Sequence, residues 1–489
     1  MEIRTRIAPS PTGDPHIGTI YQAMFDFVFA KKYNGKFIIR IEDTDRARFV
    51  KGAEKVIFDS LKWFGLEPDE DSIKGGEFGP YRQSERLEIY KKYATELIDK
   101  GHGYYCFCSK ERLEQLKAEQ QKKKMAPMYD KKCLNLSKEE VEKNLADKIP
   151  YVIRMNIPKD QMIVVEDSVA GKVEFNSSSI DDQVIIKSDG FPTYHLAVVV
   201  DDYLMKITHV FRGTEWLPST PKHVLLYKFL GWEENIPKYA HVPVLLDPEG
   251  GGKLSKRMGH ASVEYYKKEG FLPEAILNYL ANIVWNHPDG HEIFPLKEFE
   301  KAFELEPFKV MVKPQGARFD IKKLEWMNGE YIRKMSDEEL EKRLQEFLVD
   351  HPNKNKIFPL VSLVKERIKK LSDFIPLTDF FFEKVEYEKQ VFDGLKINDL
   401  RLTMNQVFET LESMDMPWKA DLFESTFRQL AQDLGLSPTQ IFQLIRVAIS
   451  GQTVTPPLFE SVKILGEEET IKRVDEANFF LQNPSTDEG

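Results

Sequence analysis

Residues 3–42 constrain the fold of this chain more than any other stretch. Residues 3–8 alternate apolar and polar side chains around Arg4 and Arg6, which predicts a short strand ending at Pro9. A stiff loop follows, Pro9-Ser10-Pro11-Thr12-Gly13-Asp14-Pro15-His16. From Ile17, apolar side chains recur at Ile20, Ala23, Met24, Phe27 and Val28 with helical period, and Asn34-Gly35 supplies a stop signal. Residues 36–42 predict a second strand. Strand, loop, helix, strand is the unit of a parallel sheet, and it sets the loop at a helix N-terminus beside the carboxyl end of a strand, where phosphates bind. Gly13 and Gly18 let backbone approach a ligand closely, and His16 can donate hydrogen bonds to phosphate oxygens. Taken alone, the stretch more commonly reads as a Pro/Gly turn with a surface histidine.

A second stretch, Gly250-Gly251-Gly252-Lys253-Leu254-Ser255-Lys256-Arg257, is not a phosphate loop of the Walker type. Lys253 is followed by Leu254 instead of Ser or Thr, and Asp247 stands where the first glycine belongs. What remains is a glycine hinge carrying three cations that could close over a polyphosphate, or a solvated basic loop.

Together and in this order, His16-Ile17-Gly18-Thr19 and Lys253-Leu254-Ser255-Lys256-Arg257 resemble the HIGH and KMSKS signatures of class I aminoacyl-tRNA synthetases. Both depart from the family consensus in the final residue, Thr19 for His and Arg257 for Ser. Five further stretches resemble the bacterial-type glutamyl-tRNA synthetases: residues 6–13 (RIAPSPTG), 40–45 (RIEDTD), 81–86 (YRQSER), 190–196 (GFPTYHL) and 212–216 (RGTEW). The resemblance runs over essentially the whole chain.

It implies that L-glutamate is joined to the 3′ end of tRNA(Glu) in two steps through a glutamyl-adenylate, with ATP, accompanied by Mg2+, consumed as substrate and AMP and diphosphate released; the alternative is an enzyme that also charges tRNA(Gln). His16, Lys253 and Lys256 would be catalytic. Gly13, His16, Gly18, Glu215, Leu245, Lys253, Ser255, Lys256 and Arg257 would bind ATP, and Arg6, Ala8, Ser10, Glu42, Tyr194 and Arg212 would bind glutamate. Chemistry points the same way, because a pocket for free glutamate must satisfy one ammonium and two carboxylates. Glu42 would take the ammonium, while Arg6 and Arg212 divide the carboxylates, with Arg6 on the side chain. Val198 stands where the family often places an amide and is not expected as a contact.

The implied fold class is α/β: a split Rossmann-like parallel-sheet catalytic domain with an α+β insertion, followed by an all-α C-terminal half. Residues 1–78 and 183–258 would form the catalytic domain, with its sheet resuming at residues 184–187 and continuing at 207–211. Residues 79–182 would be the insertion that grips the tRNA acceptor end, 259–325 a helical region against the stem, and 326–489 a helical anticodon-binding region. Within the insertion, periodicity predicts a helix at 87–98, a lysine-rich helical middle, and strands at 151–157 and 162–165. Arg446 and residues 450–459 look like the anticodon-facing region of the family.

A chain of 489 residues exceeds one core. Its net charge of -10 argues against a general nucleic-acid coat, so RNA contacts must be local, with Lys122–124, Lys131–132 and residues 365–370 as candidate patches or as solvated helix faces. No apolar run approaches membrane-spanning length, and the first motif starts at Pro9; a cytoplasmic monomer is expected. All three cysteines, Cys106, Cys108 and Cys133, fall in the insertion. This spacing matches the zinc-binding variant of the family, yet Asn135 occupies the position of the fourth ligand, a histidine. Zinc completed by Tyr129 or water, and three thiols without metal, both stay open.

Overall fold

The structure is a computed structural model that describes residues 2–247, 252–254, 261–305 and 317–483. In chain order its strands are β1 (Arg4–Ile7), β2 (Lys36–Ile39), β3 (Gly103–Cys106), β4 (Val152–Met155), β5 (Met162–Asp167), β6 (Gly171–Asn176), β7 (Val184–Ile186), β8 (His209–Gly213), β9 (Lys238–Val242), β10 (Leu245–Leu246) and β11 (Ala317–Arg318). β1 and β2 pair in parallel, from Arg4 opposite Lys36 to Ile7 opposite Ile39. β8 and β9 also run parallel, and Thr208 joins this pair to β1: its N–H donates to the Arg4 carbonyl at 2.9 Å. β8 is buried along its whole length, as expected of a parallel strand covered on both faces.

Helix α1 (Ile17–Lys32) makes the crossover between β1 and β2. His16 caps it, with Nδ1 accepting the Gly18 N–H at 2.9 Å, and Lys31 and Lys32 in the last turn suit the negative end of the helix dipole. The chain turns back at Asn34 (φ 52°) and Gly35. A Cβ on Gly35 would lie 2.1 Å from the Ile3 carbonyl oxygen, so only glycine lets β2 begin this close to β1. On its inner face α1 packs Phe25 against Phe211 and Phe303, at centroid distances of 6.3 and 5.4 Å. Met24, Phe25 and Phe37 are fully buried, each contributing roughly 1.5–3 kcal/mol to folding.

Several expectations are corrected. The second strand stops at Ile39 instead of 42: Arg40 and Glu42 still donate to the Ile7 and Pro9 carbonyls at 3.1 Å, but Pro9 has no N–H to return, while Ile41 accepts the Gln83 N–H and donates to Tyr81. The parallel sheet does not resume at 184–187. β7 pairs antiparallel with β4, which itself pairs antiparallel with β3. Asp182 dictates this direction, since it accepts from Tyr104 Oη at 2.6 Å and from the Ile157 N–H at 3.0 Å just before the strand begins. The parallel sheet returns only at β8, shifted to His209–Gly213 because Ile207 still closes the preceding helix through the Asp202 carbonyl. The strand expected at 162–165 extends to Asp167 and forms an unforeseen hairpin with β6. That hairpin joins β9 at Asp167 opposite Tyr239, giving the order β6-β5-β9-β8.

The chain divides into two compact units, Met1–Tyr266 with Pro273–Ile321, and Lys267–Leu272 with Lys322–Gly489. Among the described residues from 321 onward every regular element is helical, as expected. Helices Leu400–Ser413, Ala420–Asp433, Pro438–Ser450 and Glu467–Gln482 bury Phe427, Leu444, Ile445 and Val474 in one core. Among the described residues no helix is long and apolar enough to cross a membrane.

Candidate active site

The carboxyl end of β1, the end of β8 and the first turn of helix Tyr194–Leu204 surround a cavity of about 460 Å³. Arg6, Ala8, Ser10, Glu42, Tyr194 and Arg212, the expected glutamate residues, all line it. A second cavity of about 410 Å³ shares Ala8, Ser10, Gln22 and Trp216 with the first, and adds His16, Gly18, Glu215, Leu245 and Lys253 from the expected ATP set. The two cavities therefore abut at the end of β1. Gly13 does not line either, although its φ of 121° is a conformation open to glycine. Ser255, Lys256 and Arg257 lie outside the described residues, as do Gly250 and Gly251.

Charge under the first cavity is arranged in two different ways. Arg6 donates from Nε and Nη2 to Asp202, at 3.1 and 3.2 Å. Arg40, fully buried, donates to Asp202 at 2.6 Å and to Glu42 at 3.0 Å. Burial pushes the Glu42 carboxyl above its ordinary range, opposed by Arg40 and Arg6. Asp202, also desolvated, is held below its ordinary range by the same two arginines.

Arg212 differs: among the described residues it has no carboxylate partner. Its Nε donates to His241 at 2.9 Å, Nη1 to Tyr194 Oη at 3.1 Å and Nη2 to Thr220 Oγ1 at 2.7 Å. Burial drives the neighbouring imidazoles towards neutrality, lowering His195 to about 3 and His223 and His241 in the same direction. This guanidinium is only 4% exposed, and its hydrogen-bond partners among the described residues are all neutral, so none of them offsets its charge.

At the second cavity the contacts of His16 run to its own helix and to the second motif. Its Nδ1 accepts from Gly18 and its Nε2 lies 3.0 Å from the Leu254 carbonyl, so with Nδ1 as acceptor the ring donates from Nε2 to the second motif. His16 thus clips one motif to the other. Lys253 pairs with Glu215, both partly exposed.

Three candidate RNA-contact lysines are ion-paired. Lys131 sits 3.0 Å from Asp182, Lys365 3.1 Å from Asp337, and Lys370 2.7 Å from Glu269. Arg446 holds the 455–456 loop, donating to the Pro456 carbonyl at 2.8 Å. Val198 is buried and lines neither cavity.

Cys106, Cys108 and Cys133 converge, with 3.5 Å between Cys108 and Cys133 Sγ. Tyr129 Oη stands among them, 3.4 Å from Cys106 Sγ and 3.3 Å from Cys108 Sγ. Hydrogen bonding from Cys133 pulls the Cys106 thiol well below its usual range. A cluster of thiols with one oxygen is a donor set that suits zinc.

Sequence reasoning missed Arg40, Asp202, Thr220, Trp216 and His241. Two of them left a signal: Asp201-Asp202 interrupts the apolar helix 196–204, and His241 interrupts an apolar strand. A polar side chain in such a run has a buried partner to find.

Comparison with known proteins bears on the same residues. The profile for the catalytic domain of class I tRNA synthetases (E and Q) matches residues 2–326, and one for an anticodon binding domain matches 339–478. The chain is 43% identical to a glutamate–tRNA ligase of Pseudomonas entomophila (strain L48), over 99% of this chain and 97% of that one. It is 40% identical to the ligase of Finegoldia magna, over 97% and 99%. A crystal structure of a glutamate tRNA ligase from Elizabethkingia meningosepticum in complex with its amino acid superposes with a TM-score of 0.86, at 36% identity, covering 98% of this chain and 100% of that one. The chain belongs to the bacterial-type glutamyl-tRNA synthetases, class I enzymes that ligate glutamate to tRNA.

Proposed function

We propose that the two abutting cavities form glutamyl-adenylate from glutamate and ATP, and that the glutamyl group then passes to the 3′ end of tRNA(Glu). The observation that carries this reading is Arg212, a buried cation with no carboxylate partner among the described residues, placed beside Glu42 in a cavity that adjoins the one lined by His16 and Lys253. Arg212 takes one glutamate carboxylate and Arg6 the other, since Asp202 engages only Nε and Nη2 of Arg6. Glu42 takes the ammonium. The α-carboxylate oxygen attacks the α-phosphorus of ATP, and the bond to the bridging oxygen of diphosphate breaks. Positioning and charge stabilisation are the protein's contribution. Lys253, with Lys256, neutralises the departing diphosphate, and Mg2+ accompanies ATP. In the second step the terminal ribose hydroxyl attacks the glutamyl carbonyl and AMP leaves.

Glutamate-dependent ATP/diphosphate exchange, measured with and without total tRNA, tests the reading; no exchange under either condition refutes it. Charging of purified tRNA(Glu) and tRNA(Gln) at matched salt then decides tRNA specificity. Lys253→Ala should lower the exchange rate by about 100-fold with glutamate affinity retained, the scale for removing one donor to developing charge. The raised Glu42 carboxyl gives a pH signature: as pH falls towards its titration, protonated Glu42 loses the ammonium, so the glutamate KM should rise on acidification and Glu42→Gln should flatten that rise.

We also propose zinc at Cys106, Cys108 and Cys133, with Tyr129 nearest as a fourth donor. Metal analysis should find stoichiometric zinc, lost in Cys133→Ser, with the melting temperature lowered by chelator in the parent protein only.

A further inference from the structure

Asp167 closes β5 and is buried among donors. Its Oδ1 accepts the Val169 and Ala170 N–H groups at 2.9 and 2.7 Å, which shapes the turn of the β5–β6 hairpin. Its Oδ2 accepts from His241, at 2.6 Å from Nδ1 and 3.2 Å from the backbone N–H. Both side chains are fully buried. β5 pairs with β9 here, Asp167 opposite Tyr239. Burial alone would raise the Asp167 carboxyl, but the donors around it, His241 first, hold it below its ordinary range. An ionised Asp167 fixes the proton of His241 on Nδ1. Nε2 then carries a lone pair, and Arg212 Nε donates to it at 2.9 Å.

The chemistry of this chain of contacts is specific. A carboxylate set directly on Arg212 would fix the guanidinium but would also neutralise it and compete with an incoming carboxylate. An imidazole between them fixes the guanidinium plane while leaving its charge for a ligand. We propose that Asp167 and His241 are positioning residues for Arg212, and that through them the insertion hairpin sets the geometry of the amino-acid cavity. This rests on the reading that Arg212 holds a glutamate carboxylate.

The Asp167→Asn change is informative because only donors surround this side chain, so one faces the new amide N–H whichever way it turns. The backbone N–H groups at Oδ1 cannot adapt. His241 can, by moving its proton to Nε2, which then opposes the Arg212 Nε–H. Asp167→Asn and His241→Leu should each raise the glutamate KM about tenfold to a hundredfold, the scale of a lost hydrogen bond to a charged group. The ATP KM should stay within about twofold, a split that general loss of structure does not produce. His241→Gln, whose amide oxygen accepts from Arg212, should recover most of the loss. Imidazole nitrogen NMR on histidine-labelled protein should show the His241 proton on Nδ1 in the parent and on Nε2 in Asp167→Asn, the signal being assigned through its absence in His241→Gln.

Unchanged glutamate KM in both Asp167→Asn and His241→Leu overturns the proposal, provided Arg212→Gln raises it. If Arg212→Gln also leaves it unchanged, the reading of Arg212 itself falls and takes the proposal with it. Should Asp167→Asn fail to fold, the contrast between His241→Leu and His241→Gln decides: equal loss in the two overturns the proposal.

Discussion

Arg212→Gln should reduce kcat/KM for glutamate roughly 100- to 1,000-fold while leaving the protein folded. The magnitude follows from removing one partner of a desolvated charge pair, worth about 3–4 kcal/mol where the transition state keeps that pair. The fold survives for a structural reason. Every hydrogen-bond partner of Arg212 among the described residues is neutral (His241, His223, Tyr194 and Thr220), so none of them is a buried carboxylate left without its counter-charge. Glutamine can still donate to Thr220 or Tyr194. Steady-state exchange kinetics in glutamate and in ATP, with a melting curve beside them, check both halves. A melting temperature unchanged within about 2 °C together with an unchanged glutamate KM would remove Arg212 from the site.

Arg40→Leu should have the opposite character, losing stability before it loses chemistry. Arg40 is inaccessible to solvent and serves Asp202 at 2.6 Å, Glu42 at 3.0 Å and Asp201 at 3.6 Å. Arg86 still compensates Asp201 at 2.7 Å and Arg6 still compensates Asp202, but among the described residues Glu42 keeps no hydrogen-bonded cation. Breaking a buried cluster in this way costs about 3–5 kcal/mol. For a unit of this size the transition should move down by roughly 10 °C, read from the thermal melt of the full chain. The sign of the pH dependence follows from Asp202. Its folded pKa is depressed, so its stabilisation is present above the unfolded value, about 3.9, and is lost as pH falls through the lower folded value. Arg40 is one source of that depression. The gap between parent and variant should therefore be full near neutral pH and narrow on acidification below about pH 4. A gap that widens there would contradict the cluster as described.

What could be read from the chain before folding follows how local each signal is. The β1–α1–β2 crossover was legible because alternation, helical period and the Asn34-Gly35 stop all act within a few residues. The lining of the first cavity was legible too, because Arg6, Glu42, Tyr194 and Arg212 stand in short stretches with a family likeness, and all of them line one cavity. The direction of β7 was not. Three apolar residues, Val184–Ile186, serve a parallel or an antiparallel strand equally, and the choice fell to Asp182 gripping Tyr104 and Ile157. Nor was the pairing of the site arginines: Asp202 is 196 residues from Arg6, and Asp167 is 74 from His241.

By itself the sequence determined which chemical groups are available: two arginines and an acid for a zwitterionic diacid, a histidine and lysines for a polyphosphate, and thiols for a metal. Only the tertiary structure decided which of those charges have a counter-charge in contact. Arg6 and Arg40 share Asp202, whereas the described hydrogen-bond partners of Arg212 are neutral imidazole and hydroxyl groups. The physical reason is that a charge is satisfied by whatever lies within about 3 Å of it in a water-poor interior. That neighbourhood is assembled from strands and helices far apart in the chain, so spacing along the sequence carries no record of it.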